Sequence, residues 1–149
     1  MIAHGVHDGS RERPAGLVLA SAAGGEGAAE ATGAVAWCED LERSTIAPCV
    51  VLASCGAARG PLRRGDDGIA GLAGALHAGG ARAVVLSRSD VEYRATLRLV
   101  AAFLARVADG AAPAEALRAA RAELLRDRSC DPAAALGVFL TGLGAEPAR

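Results

Sequence analysis

An α/β fold, with a mostly parallel sheet flanked by helices, is what this sequence predicts, and three observations carry that expectation. Two uncharged apolar runs, Cys49–Ser54 (CVVLAS) and Ala81–Ser87 (ARAVVLS, charged only at Arg82), are continuous rather than alternating. Such runs suit strands covered on both faces, as in a parallel sheet. Segments with helical spacing lie between and after them, and strands alternating with helices argue for layered α/β architecture. The chain has 149 residues, the size of one domain, and shows neither a linker nor an internal repeat, so residues 1–149 are read as a single unit.

Taken in order, Met1-Ile2-Ala3 is an apolar step running straight into His4-Gly5. It reads as the last step of a strand that begins upstream. Leu17–Ala20 is a short apolar run after Pro14 and Gly16, and reads as a strand. Residues 22–33 are rich in Gly and Ala and are expected to form a mobile loop. A short helix is expected within 35–41. Pro48 launches the Cys49–Ser54 strand, and the polar, Arg- and Gly-containing stretch 56–67 is a loop. Residues 68–78 are expected to be helical despite their glycines. After the strand at 81–87, residues 91–108 carry Leu97, Val100, Ala101, Leu104 and Val107 at helical spacing, with Gly110 placed to close the helix. Pro113 is a good first helical residue, and 113–126 forms the next helix. Residues 136–141 (LGVFLT) are expected to be the last strand.

Composition narrows the function. Hydrophobic residues make up 52%, enough for a core, but aromatics only 3%, so Ala, Leu and Val must fill it. A net charge of −1, with acidic and basic residues interspersed, provides neither a basic footprint for nucleic acid nor a polybasic membrane anchor. No apolar run approaches the ~20 residues of a membrane span, and no signal segment opens the chain. A cytoplasmic protein with no nucleic-acid or membrane partner is therefore expected. Cys38, Cys49, Cys55 and Cys130 are read as reduced thiols in that compartment. No C-x-x-C pair is present, and His4 and His7 lack a third ligand at a tetrahedral spacing, so neither metal nor cofactor is expected.

Chemistry is expected at strand ends, because ligands of open parallel sheets bind beyond the carboxyl ends of the strands. His4 and Cys55 both stand there by this reading. A thiol is strongly nucleophilic once ionised, and a neighbouring imidazole can take its proton and later protonate a leaving amine. Gly5 and Gly56 follow the two side chains directly; glycine lets backbone approach a substrate, and a free N–H there can hold an oxyanion. Cys55 lies 51 positions after His4, and caspases place the histidine about 50 residues upstream of the cysteine. The bland readings stand beside these: a buried structural thiol for Cys55, as for Cys49, Cys38 and Cys130, and an ordinary exposed ring for His4. His77, on a helix, is a surface or half-buried side chain. Glycines 65, 68, 71 and 74 recur every third residue but lack the Lys-Ser/Thr of a phosphate loop, so close helix-to-sheet packing is the expectation.

Beyond this, the chain resembles the CHAT family of caspase-like domains over nearly its whole length. The resemblance rests on His4-Gly5, on Ala15–Ala20 (AGLVLA), on Val50–Gly60 (VVLASCGAARG), on Gly65–Ala75 (GDDGIAGLAGA) and on the helix Pro113–Ala120 (PAEALRAA). It implies a caspase-like sheet, Cys55 as nucleophile, His4 as general base and Gly5 as oxyanion donor. The family's Trp-Pro-Val-Asp-Asp loop, which lines the cleft of caspase-like folds, is replaced here by Ser89-Asp90-Val91-Glu92-Tyr93 after Arg88. Arg88, Asp90 and Glu92 are thus candidate cleft residues. Family members also carry strands and helices before the His-Gly strand. Their absence here implies an N-terminally truncated sheet that is marginally stable or self-associating when expressed alone. The function expected is hydrolysis of a peptide or protein substrate through a Cys–His dyad, with a helical-repeat protein as possible partner. The alternatives are a catalytically inactive interaction module of the same fold and a small-molecule-binding α/β domain.

Overall fold

The computed structural model describes residues 4–6, 16–19, 34–52, 70–87, 92–127 and 129–145. They form β1 (His4–Val6), β2 (Gly16–Leu19), β3 (Ala34–Trp37), α1 (Cys38–Glu42), β4 (Cys49–Leu52), α2 (Ala70–Ala78), β5 (Ala83–Ser87), α3 (Tyr93–Ala108), α4 (Pro113–Arg126), α5 (Pro132–Leu136) and β6 (Val138–Gly142). The fold is mixed α/β, as expected. The sheet is not mostly parallel, however. Strands β1-β2-β3 make an antiparallel meander, and β4-β5-β6 make a second sheet in which only β4 and β5 run parallel.

The orientation of β6 follows from the helices that precede it. Arg98 of α3 pairs with Asp127 just beyond α4, and Arg106, further along α3, pairs with Glu123. The two helices therefore run antiparallel. The chain leaves β5 along α3 and comes back along α4, and α5 is too short to carry it away again. β6 starts opposite the end of β5, with Val138 facing Ser87, and runs back to Gly142 facing Ala83.

All five residues of β5 are buried. Its side chains alternate between two cores, as the pleat requires. Val84 and Leu86 pack with Leu72, Leu76, Leu41, Leu52 and Leu17 on the α1–α2 side. Val85 packs with Leu99, Phe103, Leu117 and Leu124 on the α3–α4 side. Alanines 95, 116, 120, 134 and 135 fill the second core at 0–1% exposure, which lets these helices approach closely around a single aromatic ring, Phe103.

Helix termini account for several boundaries. The Glu92 carboxylate accepts from the backbone N–H groups of Arg94 and Ala95, each at 3.0 Å, and so caps α3. At the other end Gly110 takes φ +92°. Its N–H reaches the carbonyl of Val107, and the N–H of Ala111 reaches that of Arg106, the paired closure of a Schellman motif. The expected closing role of Gly110 is thus met. The buried side of α3 is Ala95, Thr96, Leu99 and Phe103; Leu97 and Leu104, from the stripe read in the sequence, are exposed.

Three further expectations are corrected. The segment expected to be a short helix within 35–41 splits into β3 and α1, because Val35 and its neighbours pair with β2 and the Asp40 carboxylate accepts the Trp37 N–H at the turn into the helix. Leu136 belongs to α5 rather than to the last strand. Asp131 caps that helix through the Ala133 N–H, and Pro132 supplies its first residue. Finally, Gly71 and Gly74 do not pack against the sheet: both are exposed, and a Cβ at either would meet nothing. The expected loop at 22–33 lies outside the described residues.

Candidate active site

β4 and β5 run parallel and in register, with Cys49 opposite Ala83 and Leu52 opposite Leu86, and their carboxyl ends lie side by side. Cys55 follows Leu52 by three positions and Arg88 follows Ser87 directly. The strands that precede the expected nucleophile and the expected cleft residues in sequence therefore end side by side. Open α/β sheets bind ligands there because strand ends leave backbone groups and connecting loops available above a rigid base. Cys55, Gly56, Arg88 and Asp90 themselves lie outside the described residues.

His4 is placed differently from the expectation of a neighbouring parallel strand. It opens β1, which runs on through Val6 and pairs antiparallel with β2, with His4 opposite Val18 and Gly5 opposite Leu17. Among the described residues β1 has no ladder to β4. What joins the meander to the second sheet is packing: Leu17 is buried in the same apolar cluster as Leu52, the last residue of β4. Close approach also shapes β2, since a Cβ at Gly16 would run into the Ala36 carbonyl and the Trp37 ring of β3. The geometry of the His4–Cys55 pair lies outside the described residues. Glu92, the third candidate cleft residue, has both carboxylate oxygens engaged in capping α3.

The other cysteines are free thiols. Cys49 and Cys38 are half-buried, and burial raises both above the ordinary thiol value, helped at Cys38 by the charge of Glu42. Raised thiols are poor nucleophiles near neutral pH, so the core role expected of Cys49 and the structural role expected of Cys38 both fit. Cys130 has a neighbour no sequence pattern indicated: the Arg98 guanidinium donates to its Sγ at 3.2 Å while also binding Asp127 at 2.7 Å. His77 is half-buried, with Nδ1 2.6 Å from the Ala81 carbonyl and Nε2 2.9 Å from the Thr141 hydroxyl. It ties the end of α2 to β6. Among the described residues, no three His, Cys, Asp or Glu side chains gather as a metal site, and no helix is long and apolar enough to cross a membrane.

Comparison with protein-family models matches residues 1–145 to the CHAT domain. The chain belongs to the CHAT domain family. A search of curated proteins finds no match to it. Membership relates this CHAT domain to caspase-like peptidases, and the matched span contains both His4 and Cys55. The α4 helix, whose first eight residues carried part of the resemblance, forms from Pro113 to Arg126, the span expected.

Proposed function

We propose that this CHAT domain is a cysteine peptidase in which His4 and Cys55 form a dyad. Support comes from the parallel β4–β5 pair: Cys55 follows the last residue of β4 by three positions in sequence, and such folds bind ligands beyond the carboxyl ends of their strands. The His4 imidazole accepts the thiol proton, and Sγ attacks the scissile carbonyl carbon. The oxyanion that forms is held by the backbone N–H groups of Gly5 and Gly56. Collapse breaks the C–N bond, and the imidazolium gives its proton to the leaving amine. Water, deprotonated by His4, then attacks the acyl-thioester; Cys55 leaves as thiolate and is reprotonated. Arg88 and Asp90, which follow β5 in sequence, meet substrate side chains, while Glu92 caps α3. The protein is expected to act on a peptide or protein in a cytoplasmic setting, and a helical-repeat protein is a candidate partner.

The test is labelling by a peptidyl electrophile that alkylates thiolates. Cys55→Ala should abolish it and Cys49→Ala should leave it intact. Equal loss in both variants, with folding preserved, would show that Cys55 is not specially activated and would favour an interaction module.

A further inference from the structure

β6 ends its sheet, so one of its edges faces no strand among the described residues. Which backbone groups point to that edge follows from the ladder. The Leu143 N–H reaches the Arg82 carbonyl, and the Ala83 N–H reaches Pro48 on the β4 side. Alternation then turns Phe139 and Thr141 toward β5, and turns Val138, Leu140 and Gly142 outward. Two outward carbonyls are already taken. The Val138 carbonyl accepts from the Arg121 guanidinium, and the Gly142 carbonyl accepts from the Gly144 N–H. Among the described residues nothing takes the N–H and C=O of Leu140.

A groove of about 480 Å³ lies along this edge, lined by Leu117, Arg118, Arg121 and Leu125 of α4 with Phe139 and Leu140 of β6. Phe139 and Leu140 are neighbours in a strand and project to opposite faces. A groove that touches both must run along the strand's edge. Its charge is one-sided: the described lining holds two guanidiniums and no carboxylate. Arg118 is answered by Glu115, but among the described residues Arg121 has no acidic partner and its buried Nε has no acceptor. A half-buried cation with an unanswered donor, beside a strand edge and apolar side chains, is complementary to an extended acidic segment.

We propose that this groove docks an extended partner peptide of alternating apolar and acidic residues, which adds to the β6 edge at Leu140 and sets a carboxylate on Arg121. Main-chain bonds to Leu140 supply the attachment, and Arg121 selects for negative charge. The proposal does not depend on the Cys55–His4 reading.

A short fluorescein-labelled peptide alternating valine and glutamate is the probe, titrated against the protein at low ionic strength and followed by anisotropy. Saturable binding is expected. It should weaken roughly tenfold or more when the glutamates become glutamines, and similarly in Arg121→Met, because a charge-assisted bond is lost. N-methylation of the peptide's edge-facing amides should abolish it. No binding, indifference to the Glu→Gln change, or survival of N-methylation would each overturn the proposal. If Arg121→Met fails to fold, the two altered peptides still decide against the unaltered protein. Self-association of the chain that excludes the probe would assign the edge to a second copy and overturn the peptide reading.

Discussion

β5 and β2 are both short apolar strands at the centre of three-stranded sheets, yet they are used in opposite ways. β5 lies between two helical layers, so every one of its side chains is buried and each face meets its own core. β2 lies in an antiparallel meander whose described side chains join one of those cores, through Leu17 and, less deeply, Ala36 of β3. The difference shows how a chain poor in aromatics concentrates its stability. Alanine-lined helices pressed on a strand of Val and Leu bury area on both sides, whereas among its described side chains the meander meets the core through Leu17 and Ala36 beside its ladder.

The largest effect expected from that contrast is in the second core. Phe103→Ala removes its only aromatic ring, at 1% exposure, and should cost about 3–5 kcal/mol in urea melts. A loss below about 1 kcal/mol would mean that the alanines, not Phe103, hold the helical layer. Leu17→Ala comes next, at about 2–3 kcal/mol, near the lower end for buried leucines, if the meander unfolds together with β4–β6. An unchanged global melt with faster amide exchange confined to 4–6, 16–19 and 34–37 would separate the meander as an independent unit.

The smallest effect sharpens the comparison from outside the core. Bonds from the Ser129 hydroxyl and N–H, and then from Arg98, hold the exposed Asp127 carboxyl below the usual carboxylate range. Because its folded value is depressed, its contribution is present above the unfolded value of roughly 3.9 and is lost as pH falls through the folded one. Asp127→Asn should therefore lower the urea midpoint slightly at neutral pH, and the gap to the parent should close in acid. A gap that widens in acid would contradict the assigned cause.

How far the sequence could be read depended on whether a signal was local. Pro113 at a first helical turn, Gly110 past a last one, and the uncharged run at β5 depend on nearby backbone chemistry, and all three read correctly. The helix at Pro132 carries the same kind of signal in Asp131-Pro132, but a one-turn helix has no periodicity to draw attention to it. On α3 the spacing was legible but the face was not, because Leu97 and Leu104 compete with Leu99 and Phe103 and only packing chooses. The candidate site divides in the same way. A cysteine three residues past an apolar strand was visible from the pattern alone, although only Leu52 of that strand is buried and Cys49, Val50 and Val51 are half-buried, short of the full cover expected. The membership of β1 in a separate meander was not, since strand partners lie far away in sequence.

The sequence by itself determined the α/β class, the helices read at 91–108 (observed Tyr93–Ala108) and 113–126, the parallel β4–β5 unit and the CHAT resemblance, because these rest on propensity, capping and patterns within a few residues. Only the tertiary structure decided that β6 returns antiparallel, that Leu17 ties the meander to the end of β4, and that Arg121 lies beside a strand edge that, among the described residues, has neither a neighbouring strand nor an acidic partner for it. Each of these is a meeting of segments distant in sequence, fixed by the antiparallel packing of α3 on α4 and by which faces that packing leaves to bury.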